Sequence, residues 1–304
     1  MRSRILVIAN PVSGRGKGAH LAREFLRRLR ERGCDVDFRE TGRPGDARRF
    51  AGEAAGFSAV VCVGGDGTVN EVVNGLPPGD APPLAMVPCG TANVLAKELG
   101  LPRDPARLAD LVADGREVRW DLGVDRAGGR RFLLFGSAGY DAHVVHVFHA
   151  ARRGPIRMWQ YVLWGLRSIL DYRVPRLRVE IDGRPLGADA SWVQVSNVSS
   201  YGGPLVFTPR AKADDGAFEV MVLRSNRRRD VVRMFWRAIL GHFLGLDLPL
   251  GGVTFHRARR VRLEAADGQP VPVQVDGDPG GSLPADFEIV PGGIRILAPR
   301  LPEA

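Results

Sequence analysis

The sequence predicts two domains, a mostly parallel α/β domain over residues 1–122 and a β-rich domain over residues 123–292. Three observations carry this. Short apolar runs alternate with helix-spaced apolar residues through the first 120 positions, glycines fall where those runs end, and from about Asp121 strands follow one another with few helical patterns between them. Alternation of the first kind implies β-α-β units and a parallel sheet covered by helices.

Ile5 to Ala9 is the first strand, because five consecutive apolar residues suit a strand buried on both faces. Leu21, Phe25 and Leu29 recur at helical spacing. Ala59 to Val63 and Leu84 to Val87 are the next buried runs. Gly14, Gly16 and Gly18 follow the first run, Gly64, Gly65 and Gly67 follow Val63, and Gly90 follows the last. In open α/β sheets ligands bind beyond the carboxyl ends of the strands, so three loops converge on one edge. The second half offers Phe132 to Phe135, Leu177 to Ile181, Trp192 to Val195, Phe218 to Leu223, Val261 to Leu263, Val271 to Val275 and Ile294 to Leu297 as strands. Two helical stretches interrupt it, Ile156 to Tyr172 and Val231 to Leu246. Met158, Trp159, Tyr161, Trp164, Phe235, Trp236 and Phe243 give them more large apolar residues than one buried stripe needs, so they read either as core helices or as a lipid-contacting surface.

Composition narrows the function classes. With 304 residues, 44% apolar and 25% charged, the chain can bury a sizeable core, which excludes wholesale disorder, collagen and long coiled coils. No run of 18 apolar residues exists, and Ile5 to Ala9 is too short for a signal-peptide core, so neither a membrane span nor export is expected. Cys34, Cys62 and Cys89 lack disulfide or metal spacing, which fits a reducing cytoplasm. The net charge of +9 favours anionic partners, but all the basic residues except Lys17, Lys97 and Lys212 are arginines, which reads equally as compositional bias.

The strongest chemical signal is Gly64-Gly65-Asp66-Gly67-Thr68-Val69-Asn70-Glu71, between a strand and a helix. Glycines let the backbone approach a phosphate, and the amino end of a helix attracts the anion. Thr68 and Glu71 have capping-box spacing. Asp66 among those glycines implies either a cation between carboxylate and phosphate or a proton to accept. Asn10-Pro11-Val12-Ser13-Gly14, continuing through Arg15, Gly16, Lys17 and Gly18, has neither P-loop nor dinucleotide spacing. In the third turn, Gly90 to Asn93, Thr91 can donate to a phosphate or ribose and Asn93 can fix the loop. Lys212 to Phe218 contains Asp214, Asp215 and Gly216, which read as a hard-cation site or as a plain turn. Val275-Asp276-Gly277-Asp278 ends a strand with two acids, in a hairpin turn or in a site for chemistry.

Taken together and in this order, Asn10 to Gly14, Gly64 to Glu71, Gly90 to Asn93, Asp214 to Phe218 and Asp276 to Asp278 resemble the diacylglycerol kinase catalytic-domain family, in particular bacterial lipid kinases related to sphingosine and ceramide kinases. The resemblance implies an N-terminal nucleotide domain like those of NAD kinase and phosphofructokinase, a β-sandwich-like domain that receives a lipid, and a return of residues 293–304 to the first domain. It further implies an ATP site lined by Asn10, Pro11, Val12, Ser13, Gly14, Thr41, Gly65, Asp66, Gly67, Thr68, Val69, Asn70, Glu71 and Thr91. Mg²⁺ would be held by the carbonyls of Lys212 and Ala217 and the carboxylate of Asp215, with Asp66 reached through water. The general base of relatives is a Glu in an Asp-Gly-Glu segment, which here reads Asp276-Gly277-Asp278. Asp278, Asp276 and a water relay are the alternatives for that role.

The implied reaction is transfer of the ATP γ-phosphoryl group to a lipid hydroxyl, most simply that of diacylglycerol. An NAD kinase-like enzyme and a catalytically silent nucleotide-binding regulator are the rivals. The implied location is cytoplasmic and peripheral to an anionic membrane, which Arg227 to Arg229 and Arg257 to Arg260 can attract. Nucleic acid is not an expected partner, and a homodimer stays open.

Overall fold

The computed structural model describes residues 3–14, 17–151, 164–165, 167–169, 171–202, 205–234, 236 and 252–300. The chain divides into two compact units, Met1–Trp120 with Gly292–Ala304, and Asp121–Pro291. In chain order the elements of the first unit are β1 (Arg4–Ala9), α1 (Lys17–Glu31), β2 (Asp35–Glu40), α2 (Asp46–Ala51), β3 (Ala59–Gly64), α3 (Asp66–Gly75), β4 (Leu84–Pro88), α4 (Val94–Glu98) and α5 (Pro105–Asp114). β5 (Arg116–Asp125) leads into the second unit, which continues with β6 (Arg130–Phe132), β7 (Phe135–Ala138), α6 (Tyr140–Ala151), β8 (Leu177–Ile181), β9 (Arg184–Ser196), β10 (Ser200–Tyr201), β11 (Leu205–Val206), β12 (Phe218–Arg224), β13 (Val253–Ala258), β14 (Arg260–Ala265), β15 (Pro272–Val275) and β16 (Asp278–Ser282). β17 (Ala285–Ala298) returns the chain to the first unit.

In the first unit β2, β1, β3 and β4 lie side by side and parallel, and Ile296 of β17 extends the set next to Leu84. Every residue of β3 is buried, as its continuous apolar run requires. β2 is an edge strand, half-exposed along Val36 to Arg39, and so has no apolar run to announce it. Ala22, Phe25, Leu26 and Leu29 of α1 recur every three to four residues and join Ile5, Val7 and Ala9 in one core. Burying each larger side chain contributes about 1.5–3 kcal/mol. α5 starts where Asp104 accepts the Arg107 amide at 3.0 Å and Pro105 occupies the first turn.

The second unit is antiparallel. Its strands run in the order β16, β15, β7, β9, β8, β14 and β17, while β12 pairs with β9 and β13. Phe132, Phe218 and Phe287 meet in its core, with ring centroids 5.6 Å apart in both contacts to Phe132. The predicted strand Phe132 to Phe135 breaks in two. The amides of Leu133, Leu134 and Phe135 donate to the Asp276 carboxylate at 2.9, 2.9 and 3.0 Å and are lost to a ladder there. α6 is a helix that the strand-rich reading passed over. Of the two helical stretches, Met158, Trp159, Tyr161, Phe235 and Phe243 lie outside the described residues, as do Arg15, Gly16 and residues 301–304. Val231 and Met234 are buried, whereas Trp236 is 42% exposed. All three cysteines are free thiols.

Candidate active site

Because β1 to β4 are parallel, their carboxyl ends share one edge of the first unit, and the glycine loops meet there. A Cβ on Gly14, whose φ is +59°, would run into the Cys89 carbonyl; one on Gly18 would lie 2.5 Å from the Asn10 carbonyl; one on Gly90 would lie 2.5 Å from the Gly65 Cα. These contacts leave no room for side chains between the loops. Replacing Gly90 by Ala is expected to push the β4 loop off Gly65, with about 1–3 kcal/mol lost in stability. Thermal unfolding checks the effect.

Asn10 ties two of the loops. Its amide nitrogen donates to Thr68 Oγ1 at 3.2 Å, and its Oδ1 accepts the Val12 amide at 3.2 Å. Thr41, just after β2, donates its amide to the Ala9 carbonyl at 2.9 Å. Asn93 holds the third loop as its sequence position suggests: its side chain exchanges two hydrogen bonds of 2.9 Å with the Gly90 backbone, from a left-handed φ of +47°.

The expected capping box does not form. α3 begins at Asp66 with Gly65 as its cap, so Thr68 lies inside the first turn, and its amide and that of Val69 bond the Gly65 carbonyl. Glu71 instead accepts the Gly45 amide at 3.0 Å, anchoring the segment between β2 and α2. Val69 is 3% exposed, so its side chain belongs to the core and only its backbone is placed for a ligand. Val12 is 74% exposed, and Gly67 and Thr91 are also exposed. Pro11 and Ser13 are half-buried on the first loop, and Asn70 is half-buried within α3.

Asp66 opens α3 and accepts the Leu95 amide at 3.4 Å. Burial pushes its carboxyl above the ordinary range, opposed by the amides of Asn93, Val94 and Leu95 and by the charge of Lys97. The arrangement is a glycine-walled edge with a helix amino terminus and one acid. Such an edge can receive an anionic phosphate chain and place a carboxylate beside it.

Two more predicted groups lie in the second unit. Around residues 212–217, the Asp121 amide donates to the Ala213 carbonyl at 2.6 Å, and the Gly216 amide donates to Asp121 Oδ2 at 2.7 Å. Asp121, 2% exposed, went unnoticed in the sequence; an acid between Trp120 and Leu122 in a buried strand was the available signal. Asp215 accepts the Ala217 amide at 3.2 Å and pairs with Arg257 at 3.1 Å. Backbone carbonyls with Asp215 are the oxygens a hard cation takes, so the donor set fits magnesium in kind, although a cation here competes with Arg257. Among the described residues no three acid, cysteine or histidine side chains cluster as a metal cage.

Asp276 and Gly277 form the two-residue turn of the β15–β16 hairpin, with φ of +51° and +84°. The Asp276 carboxylate is clamped by the three amides named above. Asp278 follows as the first residue of β16, opposite Val275 and half-buried.

The description "Diacylglycerol kinase catalytic domain" fits residues 4–124, and "YegS C-terminal NAD kinase beta sandwich-like domain" fits residues 136–298. A diacylglycerol kinase of Mycobacterium tuberculosis (strain ATCC 25618 / H37Rv) is 32% identical across 98% of this chain and 96% of its own. One from Bacillus subtilis (strain 168) is 29% identical across 98% and 97%. The crystal structure of a diacylglycerol kinase from Bacillus anthracis str. Sterne shares the fold, with a TM-score of 0.73 at 24% identity, over 98% of this chain and 97% of that one.

Proposed function

Because the chain belongs to the diacylglycerol kinase family and is a lipid kinase, we propose that it transfers the γ-phosphoryl group of ATP to the free hydroxyl of diacylglycerol or a lipid of that class. The observation that carries the nucleotide half is the closure of Gly65 on Gly90 beside Asp66, because only bare backbone lets a triphosphate approach the α3 amino end so closely. Asn10 to Gly14, Thr41, the Gly65 to Glu71 segment and Thr91 line that site. Phosphoryl transfer asks the protein chiefly for positioning and for neutralising charge.

Asp278 takes the proton from the lipid hydroxyl. Its neighbour Asp276 is a poorer base, since three amides already occupy its carboxylate. Magnesium would be held by the Asp215 carboxylate and the Lys212 and Ala217 carbonyls, where it would supply positive charge that favours the phosphates. Incubation with γ-labelled ATP, magnesium, fractionated lipids and NAD tests the reading: label is expected in a lipid. Label in the dinucleotide fraction, or ATP bound without transfer to any acceptor, would replace it with one of the two rival activities.

No helix among the described residues is long and apolar enough to cross a membrane. A diacyl substrate resides in the bilayer, so the proposed reaction includes an encounter at its surface. Arg227 to Arg229 and Arg257 to Arg260 carry the expected attraction to anionic headgroups, although Arg229 also pairs with Asp230 at 3.7 Å, Arg257 with Asp215 at 3.1 Å and Arg260 with Asp286 at 2.6 Å. Binding to phosphatidylglycerol vesicles in a sedimentation assay is expected at low salt and should fall several-fold between about 0.05 M and 0.5 M salt, over which the Debye length shortens about threefold.

A further inference from the structure

The second unit buries a row of polar side chains that the mechanism above does not use. Strand register sets Gln194 of β9, Ser137 of β7 and Gln274 of β15 side by side, at 1%, 0% and 0% exposure. Their strand neighbours Val193, Val195, Ala138, Val273 and Val275 point the other way, into the apolar core. α6 packs over the polar face and adds Asp141, 6% exposed. Ser137 donates its hydroxyl to Asp141 Oδ2 at 2.5 Å, and the Tyr201 hydroxyl donates to the same oxygen at 3.2 Å. Gln274 donates its amide to Ser137 Oγ at 2.9 Å and to Asp141 Oδ2 at 3.3 Å.

The other end of the Gln274 side chain leaves this row. Its Oε1 accepts the Gly277 amide at 2.8 Å. Gly277 is the second residue of the β15–β16 turn, and Asp276, the first, is clamped by the amides of Leu133, Leu134 and Phe135. The turn is thus held from both sides, and the next residue is Asp278. Apolar side chains of similar volume would stabilise a sheet–helix contact at least as well as buried polar ones, whose desolvation offsets most of what they gain. Burial also pushes the Asp141 carboxyl up. A costly row kept at this place points to a geometric task.

We propose that Gln274, backed by Ser137 and Asp141, is a positioning residue that fixes the Asp276–Gly277 turn and thereby aims the Asp278 carboxylate. The catalytic half of this proposal rests on the reading of Asp278 as the base.

The test is a double-mutant cycle read together with hydrogen exchange. Gln274→Met keeps the volume and removes both polar ends. It is expected to lower kcat for lipid phosphorylation about tenfold to a hundredfold, the cost of a misaimed group, with the KM for ATP unchanged and the Gly277 amide exchanging at least about tenfold faster. In an Asp278→Asn background the same change is expected to add no further loss of kcat, since the two residues act as one unit. Losses that multiply, or a Gly277 amide as protected as in the parent, would overturn the proposal. Gln274→Glu keeps the acceptor for Gly277 but sets carboxylate against carboxylate, so kcat should fall and recover when Asp141→Asn restores a donor; absence of recovery counts against the row. If Asp278→Asn alone turns over like the parent, the base assignment falls, and Gly277 exchange still decides whether Gln274 holds the turn.

Discussion

Asparagine in place of Asp66 is expected to cut turnover about a thousandfold, the scale on which one preorganised charged contact counts in such a site, while the protein melts no lower than the parent. The two halves have one cause. The carboxyl is held above its ordinary range by burial, so at neutral pH the folded state bears an ionised group that the unfolded chain bears more easily. An acid raised in this way costs stability above its unfolded value, and the cost vanishes once pH falls below the ordinary carboxyl range, where both states are protonated. Asn removes the cost and keeps an oxygen for the Leu95 amide. Calorimetric melting at pH 7 with a labelled-ATP assay checks the pair; unimpaired turnover would remove Asp66 from the site. The same shift places the acid limb of the activity profile above the usual carboxylate range.

The second large effect separates two neighbouring acids. Asp278→Asn is expected to lower kcat about a hundredfold to ten-thousandfold, the range of a general base, with ATP affinity and melting temperature near the parent's. Asp276→Asn is expected to lower the melting temperature and to cost less turnover, only through a looser aim of Asp278, since Asn offers one acceptor oxygen where Asp276 offers two oxygens to three amides. An amide left without its acceptor costs about 1–3 kcal/mol, read as a fall in melting temperature. Equal loss of turnover in both variants at equal folded fraction would count against assigning the chemistry to Asp278. Asp278→Glu, one methylene longer, keeps the carboxylate and tests its reach to the lipid hydroxyl.

Much of the fold is legible in the chain because burial on both faces leaves unbroken apolar runs. β1, β3 and β4 stand out for that reason, and the glycines at their ends locate the edge where the loops close on one another. Where exposure is mixed the signal fades. β2 is an edge strand whose residues alternate weakly, β5 is a long strand with charged ends, and Pro291, Gly292 and Gly293 interrupt β17. Local spacing also misleads where a distant group intervenes. Thr68 and Glu71 have the separation of a capping box, but Gly45 takes the glutamate and Asn10 takes the threonine. Phe132 to Phe135 look like one strand until the Asp276 carboxylate, more than 140 residues later, removes three of its amides from any ladder. Asp66, Asp276 and Asp278 could be picked out as acids beside glycine. Ser137, Asp141 and Gln274 could not, because a buried polar residue has no pattern until its partners are known.

The return of β17 to β4 also sets an order of events during synthesis. Ile296 pairs with Leu84, so a strand of the first unit leaves the ribosome only after the second unit has been made. The nascent chain carries that unit with one side of β4 unpaired while the other unit is still being made, and contacts of such long sequence separation form slowly. Unpaired strand edges invite aggregation. Expression stopped short of residue 292 should therefore deliver not a smaller working nucleotide module but a sticky fragment, and nascent chains of this length are natural clients for holding chaperones.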